Sequence, residues 1–171
     1  MEFFKGFAGL FLYIGSLFAP VGESRLNVKN MTLDDEKNYK IATVFEFNWS
    51  DDLTDIVNAG IPVVVKYSCR FDRKKYEFYR ILRKPISNKN YFVIDSLSSG
   101  DTVSKSFPNI PLALKHFRQV DWIVENSANA ADFSVEIENS FVPSMKVYVD
   151  ISPAFGGRKF SGKIRMEKES Q

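Results

Sequence analysis

Residues 49–79 read WSDDLTDIVNAGIPVVVKYSCRFDRKKYEFY, and a change of period inside this stretch decides the fold. Ser50 is a good N-cap, and Asp51 and Asp52 place negative charge where the helix dipole favours it. Leu53, Ile56 and Val57 fall at i, i+3 and i+4 and form one apolar stripe. Gly60 supplies a left-handed C′ residue, and Pro62 stops the helix. From Ile61 the period becomes two. Val63, Val65, Tyr67, Cys69 and Phe71 share one face, while Lys66, Ser68, Arg70 and Asp72 share the other. A strand with one wet face belongs to an antiparallel sheet. Its register becomes ambiguous across Arg73-Lys74-Lys75, where a bulge or turn is expected.

Composition sets the bounds around this unit. The chain has 171 residues, enough for one domain with a sizeable core, and 16 Phe to fill it. A net charge of +2 is too small to imply a nucleic acid or an anionic membrane as partner. The single cysteine excludes an internal disulfide and a thiolate metal cluster within the chain. Cys69 lies on the apolar strand face and reads as a packing residue.

Residues 1–24 read MEFFKGFAGLFLYIGSLFAPVGES. Lys5 precedes a charge-free run from Gly6 to Ala19, which Pro20 and Gly22 then break. The run is short for a membrane span of about twenty residues and suits a signal-peptide core. Gly22 and Ser24 are small enough to allow cleavage before Arg25. Left uncleaved, residues 6–19 would anchor the chain to a membrane, and a third reading is an N-terminal core helix. The chain therefore divides into a signal peptide or anchor (1–24), one antiparallel β-rich domain (25–168) and a short tail (169–171).

Within the domain a first strand is expected over Leu26–Met31, then a polar turn at Asp34-Asp35-Glu36-Lys37. Ile41, Thr43, Phe45, Phe47 and Trp49 alternate with Ala42, Val44, Glu46 and Asn48, a strand running into the capped helix. Strands follow at 76–84 and 91–97, and Ser98-Ser99-Gly100-Asp101 turns the chain into Thr102–Phe107. A second helix spans Asn109–Val120, with Asn109 as cap and Ala113, Leu114 and Phe117 on its inner face. Trp122-Ile123-Val124 begins another strand. Phe133, Val135, Ile137 and Phe141 then face inward, followed by Met145, Val147, Val149 and Ile151, and by Phe160, Ile164 and Met166. Three successive antiparallel strands of this kind predict a C-terminal meander. The fold class is all-β to α+β: an antiparallel β-sandwich-like domain with two short helices.

Residue types that carry chemistry are scarce. His116 is the only histidine and has no cysteine near it in sequence, which argues against a zinc site and against Ser-His-Asp or Cys-His nucleophiles. Gly156-Gly157 lacks the Lys and the following helix of a phosphate loop. Asp34-Asp35-Glu36 reads as a solvated turn, and Asp51-Asp52-Asp55 is explained by helix capping. A carboxylate pair assembled from distant strands stays open as a hydrolase reading. No cofactor, metal site or catalytic residue is expected. The candidate binding surface is the basic, aromatic segment Arg70, Arg73, Lys74, Lys75, Tyr76, Phe78, Arg80 and Arg83. Such interleaving can grip single-stranded nucleic acid, or be the wet face of a strand whose Lys and Arg discourage edge pairing. An exported chain favours the second reading, or an anionic lipid or polymer surface.

FEFNW at 45–49, LTDIVNAGIPVVVKY at 53–67, IPLALKHF at 110–117 and KFSGKIRM at 159–166, behind an export signal, resemble a bacterial family catalogued only as domain of unknown function 4390. The resemblance runs over roughly residues 26–168, and the chain departs from it at Tyr79 and Met166, where that family is richer in Trp. It implies a bacterial, exported, periplasmic protein of β-rich fold, and it brings no activity or ligand. The function expected is a non-catalytic binding or scaffolding module of the cell envelope, taking a protein or peptide partner along a free strand edge. The alternative is a carrier of lipid or another hydrophobic ligand, should the aromatic residues line a cavity.

Overall fold

The computed structural model describes residues 23–143 and 146–166. The expected signal or anchor run, the expected inward-facing Met145 and the tail lie outside the described residues. The elements in order are β1 (Arg25–Leu33), β2 (Tyr39–Glu46), α1 (Asp51–Asn58), β3 (Val63–Phe71), β4 (Lys74–Arg83), β5 (Tyr91–Leu97) and β6 (Thr102–Phe107). They continue with α2 (Ile110–Arg118), β7 (Gln119–Val124), β8 (Ala130–Ile137), β9 (Ser140–Val142), β10 (Val147–Val149), a 3₁₀ turn (Ser152–Phe155) and β11 (Lys159–Arg165).

The helix-to-strand unit forms as its sequence dictates. Ser50 Oγ accepts the Leu53 N–H at 3.2 Å, and Leu53, Ile56 and Val57 are the buried residues of α1. Burying each contributes roughly 1.5–3 kcal/mol. Gly60 stands at φ 87°, where a side chain would be strained, and the strand pattern begins at Val63. A two-residue turn at Asp72-Arg73 resolves the ambiguous register: Phe71 faces Lys74 directly, and Asp72 takes the positive φ of 51°.

Every strand pairing is antiparallel. Six strands make a sheet in the order β11-β8-β3-β4-β5-β6, three make a second in the order β1-β2-β7, and β9-β10 is a separate ribbon. The predicted C-terminal meander does not form. After Ile137 the chain leaves the large sheet, with Glu138 N–H bonded to the Val64 carbonyl and Ser140 Oγ donating to the Pro62 carbonyl. β9 therefore reverses its expected faces, with Ser140 buried and Phe141 outside against Tyr148, ring centroids 5.0 Å apart, while Val147, Val149 and Ile151 are buried as expected.

The two sheets share one aromatic core. Phe45 packs on Phe47 (4.8 Å) and Phe160 (5.0 Å), Phe47 on Phe155 (4.9 Å), and Trp122 on Phe78 (5.8 Å) and Phe133 (6.0 Å). The buried Thr43 hydroxyl donates to the Val120 carbonyl and accepts from Trp122 Nε1 at 3.0 Å, which satisfies the indole. Along one side the sheets close on each other: β1 passes β11 so tightly that a Cβ on Gly162 would lie 3.1 Å from the Leu26 carbonyl oxygen. The opposite edges, β6 and β7, each have one side with no strand paired to it among the described residues, and they are joined by α2. That asymmetry positions the candidate site.

Candidate functional site

Parity along β4 places Tyr76, Phe78, Arg80 and Leu82 on the face that looks toward the second sheet, opposite Cys69, Tyr67, Val65 and Val63. Arg80 is thus a charged residue on a core face, 5% exposed. Its Nε and Nη2 donate to Asp95 Oδ1 and Oδ2 at 2.6 and 2.7 Å, a bidentate fork from the neighbouring strand β5. Its Nη1 reaches the end of α2 and donates to the carbonyls of His116 (2.9 Å) and Gln119 (2.6 Å). Tyr67 Oη donates to the Phe117 carbonyl at 2.8 Å. The last carbonyls of a helix lack intrahelical partners and carry partial negative charge, so a guanidinium and a phenol here bind α2 to the large sheet. The guanidinium also lies 5.3 Å from the Phe78 ring centroid.

Above this floor is an open cleft of about 640 Å³ between β4, β5, β6, α2 and β7. Leu97, Val103, Phe107 and Leu112 supply its apolar walls, and Lys105, Lys115 and His116 its basic ones. Asp121 on β7 pairs with Lys40 at 3.9 Å. Lys105 and Lys115 have no carboxylate at salt-bridge distance among the described residues. His116 sits beside Phe107, ring centroids 5.5 Å apart. Burial, then the charges of Arg80 and Lys105, lower its pKa below the ordinary 6.5, with Asp95 opposing.

The cleft borders an open sheet edge whose free groups can be counted. Leu97 N–H bonds to the Asp101 carbonyl and Gly100 N–H to the Leu97 carbonyl, with Gly100 at φ 90°. These bonds fix which pairs of the β5–β6 ladder exchange hydrogen bonds. The register runs without a shift from Ser96–Thr102 to Tyr91–Phe107, so Val103, Lys105 and Phe107 direct their backbone groups to β5. Thr102, Ser104 and Ser106 direct theirs outward. The same three odd-numbered residues turn their side chains into the cleft.

The segment singled out from sequence is divided between two faces. Arg70, Lys75 and Arg83 lie on the outer face of the large sheet, and Arg73 in the Asp72-Arg73 turn. Lys74 pairs with Glu125, and Lys75 with Glu77 at 2.6 Å. Tyr76 stacks on Phe71, Phe78 on Tyr67, and Arg80 is the buried clamp. The eight residues therefore do not form one surface. On the outer face, Lys66 meets Glu136 and Glu138, and Lys163 meets Asp132, around a row in which Ser68 and Ser134 hydroxyls lie 2.5 Å apart. Lys159 also meets Glu136, so the lysines of that face are paired, while Arg70, Arg83 and Arg165 have no carboxylate at salt-bridge distance among the described residues.

Sequence reasoning passed over Asp95, Lys105 and Lys115, and treated His116 only as a lone histidine. The signal was present in the alternation Tyr76-Phe78-Arg80-Leu82, which puts an arginine at inward parity. Among the described residues no three His, Cys, Asp or Glu side chains come together as a metal site. Asp95 has both oxygens engaged by Arg80, and the cleft lining contains no Ser, Thr or Cys. In comparisons with known proteins, no family model, no curated protein and no solved structure matches the chain.

Proposed function

We propose that this β-sandwich-like domain is a non-catalytic binding module of the bacterial cell envelope that takes an extended peptide segment of a partner protein along the free edge of β6. The observation that carries the reading is the row of outward backbone groups on Thr102, Ser104 and Ser106 beside the cleft. An added strand satisfies those groups with main-chain bonds, and its alternate side chains enter the cleft for specificity. The packed aromatic core supports this over the lipid-carrier reading, because Phe45, Phe47, Phe117 and Phe155 pack on one another and Phe133 packs on Trp122 in the interior. Export and the family likeness belong to the same proposal and rest on the sequence alone.

Selection of displayed random peptides on the full chain tests it. Proline at Ser104 removes an outward N–H while leaving the β5 ladder intact, since edge strands tolerate proline where the N–H faces solvent. Wild type should enrich a peptide family that Ser104→Pro fails to bind, while Lys74→Glu and Lys75→Glu bind it as before. Peptides that bind Ser104→Pro as well as wild type would place recognition elsewhere.

A further inference from the structure

The cleft-facing side chains of β6 run Val103, Lys105, Phe107: apolar, basic, apolar. A strand added to β6 in antiparallel register sets its own alternate residues directly opposite these three. Leu112 on α2 extends the apolar wall, and Lys115 on the same helix adds a second cation to the lining. The cleft's other charges are already matched, Arg80 by Asp95 and Asp121 by Lys40. A partner cation at the centre would meet two ammonium groups, and a neutral group would leave them unpaired. A carboxylate complements them.

Resting on the strand-edge reading above, we infer that the segment bound by β6 carries an Asp or Glu with an apolar residue two positions before and two after it, the carboxylate held between Lys105 and Lys115. The pattern is symmetric about its centre, so it reads the same whichever way the strand runs. Lysine on an edge strand also discourages unwanted pairing, and that role alone predicts no preference for an acidic peptide.

His116 gives an independent readout, because a single histidine yields a single resolved imidazole signal. The charged groups that line the cleft with it are Arg80 from β4, Asp95 from β5, Lys105 from β6, Lys115 from its own helix and Asp121 from β7. A carboxylate arriving between the lysines offsets their charge and raises the pKa of His116.

Fluorescein-labelled peptides with the core Val-Thr-Glu-Thr-Val, and the same core with Gln or Lys at the centre, are titrated against the full chain by anisotropy. Glu should bind about tenfold more tightly than Gln, with Lys weaker still and the difference shrinking as salt is raised. Lys105→Gln should erase the Glu-over-Gln preference, and Lys105→Glu should invert it toward the Lys peptide. Only the Glu peptide should raise the pKa of His116 in proton NMR. If all three peptides bind equally and Ser104→Pro still blocks them, the carboxylate inference fails and the edge reading stands. If no peptide binds, or binding survives Ser104→Pro, the inference fails together with the reading beneath it.

Discussion

Arg80 and Asp95 face each other across β4 and β5 with both carboxylate oxygens engaged, at 2.6 and 2.7 Å, while the third guanidinium nitrogen holds the end of α2. One side chain thus ties the helix, the sheet and the cleft floor together. Arg80→Met removes the clamp and leaves Asp95 and the carbonyls of His116 and Gln119 without their donor. Unfolding in urea should show a loss of about 2–4 kcal/mol. Asp95→Asn keeps the shape and one acceptor, and should lose less.

Gly162 marks the closed side of the molecule. Alanine there puts a methyl group 3.1 Å from the Leu26 carbonyl oxygen, and a backbone atom cannot swing aside as a side chain can. Gly162→Ala should destabilise by about 1–2 kcal/mol through strain between β1 and β11. Ser161→Ala, one residue away on the outer face, should be nearly neutral in the same thermal melts.

The pH dependence of stability has a window set by His116. Its folded-state pKa lies below the ordinary 6.5, so the unfolded chain binds the proton more readily. Above 6.5 the group has no effect on folding. As pH falls below it, stability declines until the imidazole protonates in the folded state as well. His116→Gln should flatten the stability profile on the acid side of 6.5. Glu46 acts lower down: hydrogen bonds from Lys29 and Arg25 hold its carboxyl at about 2, below the ordinary 4.5. The support it gives is present above 4.5 and fades as pH falls toward about 2.

Cys69 should be silent to thiol reagents in the folded protein. It is buried, and burial first and the charge of Asp132 second push its pKa up to about 12. Labelling by a disulfide reagent at neutral pH should follow global unfolding. Rapid labelling of native protein would show that β3 opens locally.

The local architecture was legible because short-range physics settles it. The Ser50 and Asn109 caps, the Gly60 stop and the alternation from Val63 each depend on neighbours within a few residues, and each formed as read. The face of β11 was legible for the same reason. Strand order was not: β8 lies between β3 and β11, its partners on β3 standing 60 (Phe71 and Ala131) to 72 (Val65 and Ile137) positions away, and no local pattern names a distant partner. Phe141 is hydrophobic yet faces outward, because the chain leaves the large sheet after Ile137. The cleft was hidden for a similar reason. In sequence Arg80 stands among other basic residues, but the parity of a strand sends alternate residues to opposite faces. Lys105 became visible only once β6 was known to be an edge.

Amide hydrogen exchange across β6, with and without a peptide selected on the wild-type chain, tests the central claim most directly. The free protein should exchange rapidly at Thr102, Ser104 and Ser106 and slowly at Val103, Lys105 and Phe107, whose N–H groups already serve β5. Peptide binding should slow the even-numbered amides alone and abolish the alternation. If the peptide binds while those three amides exchange as before, the edge of β6 is not where this protein meets its partner.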